Sequence, residues 1–346
     1  MSPKNNPSKE ENVSNVSPMI QAQQTFLDAI PMRVTGIEYV DLAASRARVA
    51  CADIVAPHAM PPYPRAIVEG YFARTEDTAD ASEERPVTLS IIGRVKPGDE
   101  TCPTLKKGEV VEVATGSLVH SGEFSIVRAW EAERDGTVFK VKRKFPPGFF
   151  IEEQGCEFRV GQTIVPAGTL LGPKEIGILA SFGITTIAVA RRPRVAVFSS
   201  GDEVVPYTQH ARPGQIRDCN GIMLCAAIEE AGGTARFSGI MGDDFNRFVA
   251  ALSQELPKVD AIVISGGTAV GGVDFISNLI KTLGKICVDG VPMKSGRPLI
   301  MGMIENKPII CLAGHPPEAL RGFKLFGVPA LARLLGYPIE LPTDTQ

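Results

Sequence analysis

Residues 261–274 read AIVISGGTAVGGVD: a compact apolar run, a glycine-rich loop, and an aspartate just ahead of the next helical pattern. An apolar run bounded by turn residues suits a strand buried on both faces. The glycines after it let successive backbone N–H groups converge on an anion where a helix begins. The loop is neither G-x-G-x-x-G nor G-x-x-x-x-G-K-[ST], so an ordinary dinucleotide or P-loop site is not supported.

Working outward, VAVFSS (195–200), TARFSGI (234–240) and PIICL (308–312) are runs of the same kind. Helical patterns lie between and after them, over 220–231, 245–256, 275–283 and 318–335. Strand-helix alternation from about residue 193 to 337 predicts a mostly parallel sheet covered on both faces, with ligands at the carboxyl ends of its strands. Three loops should open on that edge: Gly201-Asp202-Glu203, the 265–274 loop, and Ala313-Gly314-His315-Pro316.

Upstream the texture differs. Short alternating runs, VTLSIIGRV (87–95), EVVEVATG (109–116), FSIVRAW (124–130) and TVFKVKRKF (137–145), predict a small β-rich domain. The proline-dense PHAMPPYP (57–64) marks a boundary before it. Residues 155–189 return to mixed helix and strand, with a short helix in KEIGILASFG ending at Gly183. An apolar-periodic segment from Gln21 to Ile30 and a second short helix from Asp41 to Val49 are expected near the start, behind a polar, disordered tail at 1–19. The α/β, multidomain division is therefore 20–56 with 151–192 as a split domain, 57–150 as an insertion, 193–337 as the α/β domain, and 338–346 as a C-terminal tail.

With 346 residues, 44% hydrophobic and 22% charged, the chain has the length and composition of an ordinary globular protein of two or three domains. A net charge of −3 gives no basic footprint, which argues against nucleic acid as a partner. The longest apolar stretches fall short of a membrane span and residues 1–19 lack a signal-peptide core, so a cytoplasmic location is expected. Seven cysteines without a C-x-x-C pair and four isolated histidines suggest free thiols rather than a zinc cage or a disulfide frame.

Asp274 reads simply as the N-cap of the next helix, or, with Asp202, Asp243 and Asp244 on neighbouring strand ends, as one of a group of carboxylates suited to Mg²⁺ beside a phosphate. Asp218 and Asn220 read as the start of the helix that follows them. Lys294 and Arg297 form either a solvated turn or a clamp on an oxyanion. Cys156 reads as a small filler, His315 as either a satisfied loop residue or a ligand-facing donor, and Trp130 and Tyr71 as packing residues.

In order and spacing, SSGDE, IRDCN, GDD, SGGTAVGGVD, MKSGRP and LAGHPPEA resemble the MoeA family of molybdopterin molybdenumtransferases. The resemblance extends through PPYPRAIVEGYFAR, VATGSLVHSG, EEQGCEFRVG and LLGPKEIGILASFGITTIAVARRPRVAVFSSGDE, over about residues 20–337. It implies a molybdopterin-binding α/β domain, a split helix-strand domain and an inserted β-rich domain. It also implies a homodimer in which the α/β domain of one subunit approaches the first two domains of the other. The implied reaction is Mg²⁺-dependent insertion of molybdate into adenylylated molybdopterin, releasing AMP. Other cofactor-biosynthesis proteins and recipient molybdoenzymes are implied as partners.

Carried over by position, Ser265, Gly266, Gly267, Thr268 and Gly271 would cradle the phosphate, and Asp274, with Asp202, would hold Mg²⁺. Asp243, Gly201, Gly314, His315 and Pro316 would line the same edge. Lys294 would meet the incoming oxyanion, with Arg297 and Pro298 beside it, and Glu69, Thr115 and Gly116 would contribute from the β-rich side. The sequence departs from the family pattern at Ala66, Glu69, Cys156, Ala269, Arg297 and His315. The resemblance ends before the C-terminal β-barrel domain common in the family. A second reading therefore stands beside the insertase: a carrier that binds the pterin nucleotide or the finished cofactor without inserting metal. A third, a molybdopterin adenylyltransferase, is opposed by the upstream architecture.

Overall fold

The computed structural model describes residues 17–32, 35–266, 272–291 and 299–341. They form two compact units. One takes the chain up to Ala52, Ala167–Gly177 and everything from Ile184; the other takes Asp53–Pro166 and Ile178–Gly183.

The first unit is built on a six-stranded sheet in the order Thr234–Met241, Arg194–Ser200, Ala261–Gly266, Lys307–Leu312, Ile300–Ile304, Lys285–Asp289. The first four strands are parallel; Ile300–Ile304 runs opposite to them, and both of its pairings, with Lys307–Leu312 and with Lys285–Asp289, are antiparallel. All six residues of Ala261–Gly266 are buried, as a central strand covered on both faces requires. Side chains alternate between the faces. Val195, Val197, Val263 and Leu312 meet Phe26 of the N-terminal helix, Leu224 and Ile228 of the Asn220–Glu230 helix, and Phe323 and Phe326. Ala196, Phe198, Ile262 and Ile264 meet Phe248 and Leu252 of Phe245–Glu255 and Ile276, Leu279 and Ile280 of Gly272–Leu283.

Several expectations change. The N-terminal helix spans Pro18–Ala29, so Pro18 and Met19 are helical rather than tail: proline fits the first helical turn, where no N–H partner is needed, and Met19 is buried against the core. The helix expected over 41–49 is only a single 3₁₀ turn, Leu42–Ala44. Ahead of it the alternating IEYVD forms a strand, Ile37–Asp41, paired antiparallel with Thr186–Ala190. The segment expected as one helix over 318–335 is in three parts: Pro316–Gly322, a widened turn Phe323–Gly327, and Val328–Leu335. Pro329 has no N–H to donate to the preceding turn, which interrupts the helical ladder there. The widened turn seats the Phe323 ring against Gly327, where a Cβ would lie 2.3 Å from its Cδ2.

The second unit carries another six-stranded sheet, in the order Phe124–Arg128, Gly70–Arg74, Glu109–Val113, Val87–Val95, Val138–Val141, Ala132–Asp135. Its pairs are antiparallel except Val87–Val95 with Glu109–Val113. Tyr71 packs as expected, stacked on Phe139 at 4.4 Å between ring centres. Trp130 does not: it is 69% exposed, with the Arg128 guanidinium 5.1 Å from its ring. Arg128 and Arg143 both bond Glu131, whose carboxyl is lowered to about 2, chiefly by the Arg128 bonds.

Candidate functional site

The carboxyl ends of three adjacent parallel strands, Arg194–Ser200, Ala261–Gly266 and Lys307–Leu312, lie side by side, with Ser199 in register with Ser265, Ser200 with Gly266, and Ser265 with Leu312. A cavity of about 150 Å³ opens there, walled by Ser199, Ser200, Gly201, Asp218, Asn220, Ser265, Gly266 and Gly314. Glu203, Arg217, Asp243 and Pro316 also reach it.

One buried amide ties its floor together. Asn220 Nδ2 donates to Ser265 Oγ and to the Gly314 carbonyl, both at 2.7 Å, while Ser265 Oγ donates to the Ala313 carbonyl at 3.1 Å. Beside it, the buried Asp218 carboxylate accepts from Ser199 Oγ and from the Gly221 amide, both at 2.9 Å. Asp218 and Asn220 thus begin their helix, as expected, and also wall the cavity. Gly266 has φ +94°, and a Cβ there would sit 2.3 Å from the Ser200 carbonyl oxygen, so the strands meet at this edge only if residue 266 is glycine.

The acidic rim is shallow. The Asp243 amide donates to Asp202 Oδ1 at 3.1 Å, and Glu203 and Asp243 reach the cavity while Asp202 stands beside it. Burial first, then the charges of Asp202 and Glu203, push the Asp243 carboxyl above the ordinary aspartate range. These acids fit a cation in chemistry, since burial and their mutual repulsion raise the Asp243 carboxyl and a bound cation would relieve that repulsion. Among the described residues, however, no three metal-ligating side chains converge on one point. Asp244 serves structure, its side chain capping the Phe245–Glu255 helix through the Arg247 amide.

The remaining expected residues are distributed as follows. The helix after the glycine loop starts at Gly272, so Asp274 is its third residue and not its N-cap; the Asp274 side chain lies outside the described residues. So do Gly267, Thr268, Gly271, Lys294, Arg297 and Pro298. His315 precedes the Pro316–Gly322 helix, exposed, with no side-chain cap bond and no place on the cavity wall. In the second unit, Gly116 takes φ +88° in the Ala114–Ser117 turn and donates to the Ala66 carbonyl at 2.7 Å, with Thr115 exposed beside it. Glu69 is exposed, and its carbonyl accepts from the Ala129 amide at 3.2 Å.

Sequence reasoning missed Ser199, Ser200 and Arg217, and assigned Asp218 and Asn220 to the helix start alone. The available signal was two serines closing an otherwise apolar strand, an odd place for hydroxyls unless a polar edge follows.

A family model described as a probable molybdopterin binding domain matches residues 196–333, the part that carries this cavity, and one for the MoeA N-terminal region, domains I and II, matches residues 17–183. The fold is thus that of a MoeA-type protein, with a MoeA N-terminal region and a molybdopterin-binding α/β domain. A molybdopterin molybdenumtransferase from Nostoc sp. is 30% identical over 303 residues, covering 86% of this chain and 70% of that one. Another from Bacillus subtilis is 30% identical over 300 residues, covering 85% and 70%. A crystal structure of a molybdopterin biosynthesis MoeA protein from Pyrococcus horikoshii superposes with a TM-score of 0.80 at 27% identity, covering 93% of this chain and 80% of that one. The chain belongs to the molybdopterin molybdenumtransferase family, a family of transferases.

Proposed function

We propose that this chain acts in molybdenum cofactor biosynthesis, inserting molybdate into adenylylated molybdopterin with Mg²⁺ and releasing AMP. The observation that carries the reading is the cavity at the carboxyl ends of three parallel strands, walled by hydroxyls and bare glycine backbone and rimmed by acids. Backbone N–H groups at Ser265 to Gly267 would hold the substrate phosphate, with Thr268, Gly271 and Gly314 as further substrate-binding positions. The Arg217 guanidinium, at the cavity and held by the Gln209 carbonyl at 2.9 Å, adds positive charge at the mouth.

Asp202, Asp243 and Asp274 would hold Mg²⁺, which when bound offsets phosphate charge. Lys294 and Arg297 draw molybdate, the dianionic substrate, towards the pterin. The dithiolene sulfurs that receive the metal belong to the pterin, so no protein cysteine is required; all seven cysteines here are free. The working form is a homodimer, with Glu69, Thr115 and Gly116 contributing from the second unit. Among the described residues no helix is long and apolar enough to cross a membrane.

The test is to incubate the protein with adenylylated molybdopterin, Mg²⁺ and molybdate, and to follow AMP and finished cofactor separately. Both products support the insertase. Tight binding with neither product supports the carrier reading and overturns this one.

A further inference from the structure

The second unit has a cavity of its own, about 330 Å³, walled by Glu83, Trp130, Glu131, Glu133, Lys142 and Arg143. That volume lies at the lower end of small-molecule sites and suits one or two fused rings. Trp130 is the only tryptophan in the chain, and 69% of it is exposed. Its ring is held in place all the same. The Arg128 guanidinium lies 5.1 Å from the ring centre of Trp130 and 5.1 Å from that of Phe150, and is forked onto Glu131 by two bonds of 2.8 Å. Arg128 does not line the cavity, so the part of the indole that faces the cavity is left uncovered by it.

The charges of the wall are unequally occupied. Both oxygens of Glu131 are bonded, by Arg128 and Arg143, and Glu133 is bonded by Lys142. Among the described residues Glu83 meets only Lys142, at 3.9 Å, beyond hydrogen-bond length. An aromatic face, a carboxylate with open acceptor sites and an ammonium in one wall are the complement of a flat ring that carries N–H donors and a carbonyl along one edge.

We propose that this cavity binds the aminopyrimidinone ring of a pterin, stacked on Trp130 with its N–H edge on Glu83 and its carbonyl towards Lys142. Guanine carries the same ring, whereas adenine lacks its paired N–H and carbonyl groups. The choice of a pterin over guanine rests on the reading given above, in which the second unit contributes to the substrate. Ala129, the residue before Trp130, donates its amide to the carbonyl of Glu69, a position included in that contribution, at 3.2 Å.

Neopterin, which absorbs where tryptophan emits, is the probe. It should quench wild-type fluorescence saturably, and guanosine should displace it better than adenosine; neither nucleoside carries the phosphate that the first cavity would take. In calorimetry W130A should weaken neopterin about tenfold through lost stacking, and W130F by less. E83Q should bring guanosine and adenosine closer together as competitors. All three variants should melt as wild type does, because the side chains they change are exposed. Neopterin that does not quench, W130A that binds it as wild type does, or adenosine that competes as well as guanosine overturns the proposal. Guanosine that binds more tightly than neopterin overturns the assignment to a pterin. Neopterin binding that depends on Trp130, without AMP release or cofactor formation, would overturn the insertase reading alone; both products without such binding would overturn this proposal alone.

Discussion

The Asp243 amide donates to Asp202 Oδ1 at 3.1 Å, joining the loops that leave two neighbouring parallel strands and holding two carboxylates at one rim. The raised Asp243 carboxyl fixes the sign of a pH effect. Between the ordinary value of 3.8 and the raised one, the folded state binds more protons than the unfolded, so stability falls as pH rises through that window. D243N should therefore melt higher than wild type at pH 7, with the gap closing below the raised value and absent below pH 3.8. Added Mg²⁺ should raise the wild-type melting temperature more than that of D243N. Equal melting at pH 7 would show that the rim carries no uncompensated repulsion.

N220A tests the tie across the strand ends. It removes the amide donor from the Gly314 carbonyl and one of the two hydrogen bonds of Ser265 Oγ, at about 0.5–1.5 kcal/mol for each bond lost. Urea denaturation should show a lower midpoint with an unchanged slope, and nucleotide binding should weaken as well. A wild-type midpoint would mean that water replaces the amide without loss.

Asp274 is the third residue of a helix that starts at Gly272, so it is not the N-cap, and the proposed Mg²⁺ role is the one to test. D274N should cut Mg²⁺-dependent AMP release by about two orders of magnitude or more while melting near wild type. Unaltered AMP release would take Asp274 out of the mechanism.

In the second unit, E131Q should be less stable than wild type at neutral pH, because two guanidinium groups lose their carboxylate partner. With the carboxyl lowered from 4.5 to about 2, that stabilisation is complete above 4.5 and lost as pH falls through about 2. The difference between variant and wild type should accordingly shrink on acidification to pH 2. A difference independent of pH would point to lost packing instead.

The four parallel strands were legible because strands buried on both faces are continuous apolar runs, and those runs are conspicuous between amphipathic helices. The antiparallel edge was missed. Ile300–Ile304 follows a turn-rich stretch and Lys285–Asp289 is short and only partly buried, so neither offers a clean period. At the strand ends, sequence indicated which loops share one edge but not the hydrogen bonds that join them. Asn220 reaches partners 45 and 94 residues further along the chain, and nothing local in IRDCN announces them.

The widened turn at Phe323–Gly327 works as a phase adjuster. One residue inserted into a helical repeat rotates everything after it by about 100°. Because of that rotation Phe323 and Phe326 can face the sheet while, beyond the turn, Leu331 and Leu334 still reach the same core and Leu335 meets Val49 and Ala190. A straight rod would meet a twisted sheet along a single line, whereas this jointed one follows its curvature. Deleting one residue within 323–327 would leave the composition of the helix almost untouched and swing its last apolar residues out of contact, so chain length there is constrained more tightly than residue identity.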